Sequence, residues 1–269
     1  MDLGLKGKIA LVTGASSGIG RVAILKFSEE GAKVVIHRHT NKNLVDDLIK
    51  EIKTDYLVVE GDVTNENDVK RFFKESIEKF GQIDIVVANA GVANSKDTPI
   101  NEMELERFEK VLAVNLKGAW LTAREFFRNL KKSNQKSASL IFTASTSGIF
   151  GEEGWSEYAA SKAALTGLVL TLKNEIIRII PNGRVNAVAP GWTWTPMTEE
   201  FRKNKNAVIE ALETHSLRRI ANAEDVAKQI VILSSEEASG YITGQILRID
   251  GGMEGRVIWQ VSEINLENI

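Results

Sequence analysis

The chain has 269 residues, 43% of them apolar and 26% charged, with a net charge of -2. That balance is ordinary for a globular protein, and a chain this long can bury a sizeable core. The near-neutral charge gives no long-range attraction to nucleic acid or anionic membrane. Cysteine is absent, which excludes disulfides, thiolate catalysis and cysteine metal sites. The first residues, Met1 to Lys8, contain no apolar run of the kind a secretory signal needs. Apolar stretches reach only about seven residues, against the ~20 needed to span a bilayer. A cytoplasmic location is the expectation.

In chain order, short apolar runs alternate with amphipathic stretches. The predicted strands are Ile9–Thr13, Val34–His37, Tyr56–Val59, Ile85–Ala88, Leu140–Thr143, Val185–Val188 and Ile246–Ile249. Several are unbroken runs of Val, Ile and Leu, the mark of strands buried on both faces in a parallel sheet. Ile24, Phe27 and Ser28 predict a helix after Gly20. Val69, Phe72, Phe73, Ile77 and Phe80 form a helical stripe. The stretch 163–180 is apolar around most of a helix, which predicts burial or a subunit contact. Strand–helix alternation of this kind predicts an α/β fold: a Rossmann-like doubly wound parallel sheet of about seven strands in three αβα layers. No linker or repeat divides residues 1–269, so one domain is expected. Residues 193–215 read as a lid above the sheet. The tail 253–269, with Val257, Ile258, Trp259 and Val261, carries apolar surface that needs covering.

Thr13-Gly14-Ala15-Ser16-Ser17-Gly18-Ile19-Gly20 follows the first strand and opens the first helix. Glycines there permit a tight turn and close approach of backbone to a pyrophosphate, and the helix N-terminus adds amide donors. The spacing is G-x-x-x-G-x-G rather than the commoner G-x-G-x-x-G. The second strand ends in Ile36-His37-Arg38-His39-Thr40. No acid is present to bind a ribose diol, whereas Arg38 suits a 2′-phosphate. NADP is therefore expected, with NAD a second possibility. Asp62, after the third strand, either accepts from the adenine amino group or caps the following turn. His37 and His39 could pair on a metal but lack a third ligand, so no metal site is expected.

Tyr158 and Lys162 stand four apart at the start of a helix, on one face. An ammonium beside a phenol favours the phenolate and lowers its pKa. Ser145 lies just past a buried strand, thirteen residues before Tyr158.

Taken together, Thr13–Gly20, Asp62, Asn89-Ala90-Gly91, Asn115, Ser145, Tyr158/Lys162 and Pro190-Gly191 resemble the motifs of the short-chain dehydrogenase/reductase family, in the same order and spacing, over about residues 5–253. The resemblance implies Tyr158 as acid/base and Ser145 as the donor to the substrate oxygen. It implies Lys162 on the nicotinamide ribose, lowering the Tyr158 pKa, and Asn115 holding a relay water through its carbonyl. It further implies a cofactor cleft lined by Gly14, Ser16, Ser17, Gly18, Ile19, Gly20, Arg38, Asp62, Val63, Asn89, Ala90, Gly91, Pro190, Gly191, Thr193 and Thr195. A homotetramer is the family's usual assembly. The usual double Asn of the fourth-strand motif is Ala88-Asn89 here.

Substrate-facing positions in that family fall here on Ser147, Phe150, Glu152, Glu153, Trp155, Trp192, Trp194 and Met197. Two readings stay open. Tryptophans could wall an apolar pocket, or Glu152 and Glu153 could bind the hydroxyls of a sugar or polyol. The expected activity is interconversion of a secondary alcohol and a ketone. A 3-ketoacyl-thioester reductase is the alternative within the family, and a non-catalytic cofactor sensor is the alternative of another class.

Overall fold

The computed structural model describes residues 2–40, 42–94, 96–253, 257 and 259–264. Its centre is a seven-stranded parallel sheet made of β1 (Ile9–Val12), β2 (Lys33–Arg38), β3 (Tyr56–Glu60), β4 (Ile85–Ala88), β5 (Ser137–Thr143), β6 (Asn182–Pro190) and β9 (Ile246–Ile249). The order across the sheet is β3-β2-β1-β4-β5-β6-β9. All seven strands lie where the apolar runs predict them. β5 and β6 run longer than predicted, because the polar residues Ser137, Asn182 and Arg184 also find ladder partners.

The helices are α1 (Gly18–Glu29), α2 (Lys42–Leu48), α3 (Glu66–Phe80), α4 (Leu105–Leu112), α5 (Ala119–Leu130), α6 (Ser147–Phe150), α7 (Ser156–Ile176), α8 (Glu199–Lys203), α9 (Lys205–Glu213), α10 (Ala223–Ser234) and α11 (Glu236–Ser239). Two apolar cores sandwich the sheet. One side packs Phe72 and Phe73 of α3, Phe126 of α5 and Leu165 and Val169 of α7 against Leu11, Val86, Leu140 and Val185. The other packs Ile24 and Phe27 of α1 and Val226 and Ile230 of α10 against Val12, Val34, Ile36 and Ile141. Strands such as Ile9–Val12 are buried along their whole length, which is why they show no alternation.

α3 illustrates how locally determined these helices are. The Asn65 side chain accepts from the backbone N–H groups of Asn67 and Asp68, Glu66 and Asp68 charge the first turn, and Gly81 at φ 85° ends it. Its buried face is Val69, Phe72, Phe73 and Ser76, close to the predicted stripe.

The strand order reverses between β1 and β4, so the connections leave in opposite directions there and open a crevice at the strands' C-terminal ends. After β6 come β7 (Thr193–Trp194), paired with β8 (Ala221–Asn222), then α8 and α9, the segment expected to form a lid; a Cβ on Gly18 of the glycine turn would lie 3.5 Å from Thr195 Cβ. The lid has its own small core of Val208, Ala211, Leu212 and Ile220, with Trp192, Trp194, Phe201 and Ile264 against it. Trp259 of the tail donates from its indole N–H to the His215 carbonyl at 2.5 Å and Ile264 packs on the same small core, while Val257 and Val261 stay exposed. Ile258 lies outside the described residues. No helix among the described residues is long and apolar enough to cross a membrane.

Candidate active site

The turn between β1 and α1 is shaped by its glycines. Gly14 has φ +63°, and a Cβ there would lie 2.8 Å from Ala90 Cα. A Cβ on Gly20 would lie 2.5 Å from the Gly14 carbonyl and 2.6 Å from Asn89 Nδ2. Side chains at either place would push the turn away from β4. Ser17, the residue before α1, makes no capping hydrogen bond with its side chain, so no side chain of its own occupies the first-turn amides. This donor set fits a dinucleotide pyrophosphate.

Asn89 and Thr13 fasten that turn to the next strand. Asn89 Nδ2 donates to the carbonyls of Thr13 and Gly14, at 3.0 and 3.3 Å. Thr13 Oγ1 accepts from the backbone N–H groups of Asn89 and Ala90, at 3.0 and 3.1 Å. Thr143 donates to Asn89 Oδ1, tying in β5.

His37 supplies a second fastening, one that no local spacing announces. The Gly14 N–H donates to His37 Nδ1 at 3.2 Å, so the ring proton sits on Nε2, which donates to the Gly61 carbonyl at 3.0 Å. Burial pushes the imidazole pKa down to about 4, with the Gly61 bond acting in the opposite direction, so the ring is neutral at physiological pH. His37 therefore links the glycine turn to the residue preceding Asp62. Asp62 itself accepts from the Thr64 N–H at 2.8 Å, which is the capping role weighed for it.

Arg38 does not extend freely into solvent. It pairs with Glu60, its register partner on β3. Any phosphate at this corner meets an arginine that already has a carboxylate.

The other half of the crevice gathers the remaining predicted residues. Ser145 ends the stretch after β5, is nearly buried, and accepts from the Ser147 N–H at 3.2 Å. Tyr158 and Lys162 lie on the first turns of α7. Asn115 sits in a π-helical segment, Ala113–Gly118, between α4 and α5. Such segments widen the turn and recur at functional sites. Its Oδ1 accepts from Val92 N–H at 2.8 Å, and its Nδ2 donates to the Val92 carbonyl and to Ser161 Oγ. A Cβ on Gly91 would touch both Asn115 Oδ1 and Lys162 Nζ, so these groups converge behind Gly91. Val63 packs on Gly118 of the π segment, where a Cβ would meet it at 2.7 Å.

One expectation needs correction. The phenol of Tyr158 is not shifted toward neutrality. Burial pushes it up to about 12; a hydrogen bond with Ser145 opposes this, and the Glu152 carboxylate adds to it. Lys162 Nζ is 5.6 Å from the Tyr158 ring centre and donates to the Thr143 carbonyl at 2.7 Å. The four-residue spacing does place both on one face, and one of the ammonium's three N–H groups is directed to β5.

Lys162 is itself perturbed: burial lowers its pKa to about 8 from 10.5. The unfolded chain then binds one more proton than the folded chain between pH 8 and 10.5, so this group makes stability rise with pH across that window. At about 1.4 kcal/mol per unit the full rise is roughly 3 kcal/mol. The expected result is that urea-unfolding free energy climbs over pH 8–10.5 in the wild type relative to Lys162→Met. Parallel pH curves for the two proteins would show that the ammonium is not desolvated.

On the substrate side, Ser145 Oγ donates to Ser147 Oγ at 3.3 Å, and Ser147 donates to Glu152. Burial raises the Glu152 pKa, opposed by the bond from Ser147. Trp155 faces the Arg107 guanidinium, 5.6 Å from ring centre to Cζ. Trp192 stacks on Phe201 with centres 3.7 Å apart and belongs to the lid core. Glu153 and Met197 are exposed. Pro190 ends β6 and Gly191 follows it, and Thr146 N–H donates to the Pro190 carbonyl at 3.0 Å. Thr193 donates to the Gly191 carbonyl. Thr195 forms a capping box with Thr198.

A buried ion pair beneath this loop went unread in the sequence. Arg107 Nε donates to Glu157 Oε1 at 2.7 Å, beside Tyr158, and the same guanidinium holds the carbonyls of Lys96 and Gly154. Glu157, Ser161 and Leu165 are all buried on one face of α7, and a glutamate in that stripe was the available signal.

Comparison with known proteins decides the family. Residues 14–254 match the family model described as enoyl-(acyl carrier protein) reductase. The 3-oxoacyl-(acyl-carrier-protein) reductase FabG of Thermotoga maritima is 38% identical over 254 residues, covering 93% of this chain and 98% of that protein. The chain belongs to the short-chain dehydrogenase/reductase family. This short-chain enzyme is also similar to glucose 1-dehydrogenase of Gluconobacter oxydans, 36% identical over 92% of each chain. Among solved structures, levodione reductase superposes with a TM-score of 0.85 at 28% identity, covering 91% of this chain and 97% of that one. The short-chain dehydrogenase is thus a nicotinamide-dependent oxidoreductase acting on CH–OH and carbonyl groups.

Proposed function

We propose that this enzyme is an NADP-preferring oxidoreductase that interconverts a secondary alcohol and a ketone, or a hydroxyl and a carbonyl of a sugar or polyol, with Tyr158 as the acid/base. The observation that carries this reading is the meeting of Ser145, Tyr158 and Lys162 in the crevice at the strand-order reversal. The dinucleotide would lie on Gly14, Ser16, Ser17, Gly18, Ile19 and Gly20, then Arg38, Asp62 and Val63, then Asn89, Ala90 and Gly91. Its nicotinamide end would meet Tyr158, Lys162, Pro190, Gly191, Thr193 and Thr195. When bound, the nicotinamide gives or takes the hydride.

Tyr158 donates its phenolic proton to a carbonyl oxygen, or takes one from a hydroxyl. Ser145 donates a second hydrogen bond to that oxygen and stabilises its developing charge. Lys162, held on the Thr143 carbonyl, keeps a cation in the site and a ribose donor in place. Asn115, fixed by its bonds to Val92 and Ser161, orients the segment whose backbone carbonyl would hold the relay water.

Ser147 and Glu152 favour a hydroxylated substrate. A carboxylate one hydroxyl removed from Ser145 accepts from a second hydroxyl on the substrate, and Trp155 offers a ring face beside it. The similarity to the glucose 1-dehydrogenase favours the same side, and that to the 3-oxoacyl reductase favours a 3-ketoacyl thioester. Assaying NADP reduction and NADPH oxidation against polyols, aldoses, diketones and 3-ketoacyl thioesters separates the two. Exposed Trp120, Leu170 and Ile177 on and just beyond α5 and α7 support assembly, and we infer a cytoplasmic homotetramer of single-domain chains.

The cofactor reading has its own test. Arg38→Asp removes a phosphate partner and adds repulsion, so kcat/KM for NADP is expected to fall by at least about tenfold while that for NAD rises. Equal kcat/KM for the two cofactors in the wild type would contradict the preference.

A further inference from the structure

Arg38 and Glu60 occupy paired register positions at the C-terminal ends of neighbouring parallel strands, and their side chains form an ion pair. The Arg38 side chain is only 15% exposed, whereas Glu60 is 58% exposed. The arginine is therefore held by its surroundings, and the carboxylate is the member free to leave. Arg71 of α3 is engaged with Asp68 at 2.6 Å and with the backbone carbonyl of Glu60 at 2.9 Å. It braces the strand end on which Glu60 sits and does not replace Arg38.

A 2′-phosphate arriving at this corner would compete with Glu60 for the same planar donor set. A dianion engaging guanidinium is the stronger partner, and a half-exposed carboxylate pair is worth little in water. NAD, lacking the phosphate, would leave the pair intact and would not face an unneutralised cation. We propose that Glu60 sets the cofactor preference of this enzyme: it is an internal competitor for Arg38, which moderates NADP affinity and keeps NAD usable. This rests on Arg38 being the 2′-phosphate partner, as proposed above.

The test is isothermal titration of NADP and NAD into the full chain carrying Glu60→Gln, Arg38→Leu, or both. Glu60→Gln is expected to tighten NADP about fivefold, the scale of one exposed carboxylate pair, and to leave NAD within about twofold. In the Arg38→Leu background the same change is expected to do nothing, because there is no guanidinium left to release. If Arg38→Leu weakens NADP but Glu60→Gln leaves it unchanged, or weakens it, Glu60 is a bystander or an orienting support and the proposal is overturned. If Arg38→Leu leaves the NADP/NAD ratio of the wild type, the NADP reading itself falls, and the role of Glu60 with it. Glu60 is more than half exposed at a strand end, so the variant should fold; its thermal midpoint checks this.

Discussion

A Tyr158→Phe variant is expected to lose about 10²–10⁴-fold in kcat while its cofactor Kd stays within about twofold, because a positioned acid/base contributes a factor of that order and the ring itself is kept. The phenol is the half-buried titratable group that shares a hydrogen bond with Ser145. Its pKa, pushed up to about 12 by burial, gives the two reaction directions different demands. Reduction needs the proton, which Tyr158 holds at every physiological pH. Oxidation needs it gone, so the oxidative rate should climb toward alkaline pH and the reductive rate should not. Steady-state kinetics in both directions, with cofactor binding by calorimetry, check this. A phenylalanine variant that turns over at the wild-type rate would remove Tyr158 from the mechanism.

Much of this site was legible in the sequence because it depends on local spacing. Gly14 and Gly20 announce themselves by their place between a buried strand and a helix, and their missing Cβ atoms are the reason the turn can touch β4. Tyr158 and Lys162 share a helix face by arithmetic. The sheet was legible because strands buried on both faces read as unbroken apolar runs. What the spacing could not give was the company each group keeps across the fold. Lys162 finds the Thr143 carbonyl nineteen positions back. His37, discounted as a metal ligand, is a neutral strut between two loops. Arg38 suggests a phosphate site by itself, and Glu60, from the next strand, becomes its neighbour only when the register is known. Trp192, a substrate-facing position by spacing, stacks on Phe201 across the fold and so joins the small core around Val208 and Leu212.

Arg107→Leu is expected to cost about 3–5 kcal/mol of stability, because it strands a buried carboxylate. Glu157 is fully buried, its Oε1 is held by Arg107, and its Oε2 has no hydrogen-bond partner. The carboxylate thus leans on one guanidinium for almost all its compensation. The variant also releases the carbonyls of Lys96 and Gly154, so the two loops flanking the substrate side of the crevice lose their common tie. Gly154, at φ +78°, packs so closely on Asp97 that a Cβ would lie 2.6 Å from the Asp97 Cβ, and its carbonyl accepts from the Thr98 N–H at 3.0 Å, so the two loops are in direct contact. Removing both charges, as in Arg107→Leu with Glu157→Met, should recover a good part of the loss, since no buried charge then remains unpaired. Urea unfolding of the three proteins at one fixed protein concentration measures the difference. A single variant within 1 kcal/mol of wild type, or a double variant no better than the single, would mean that the pair is hydrated in solution and that Tyr158 owes its place to the helix alone.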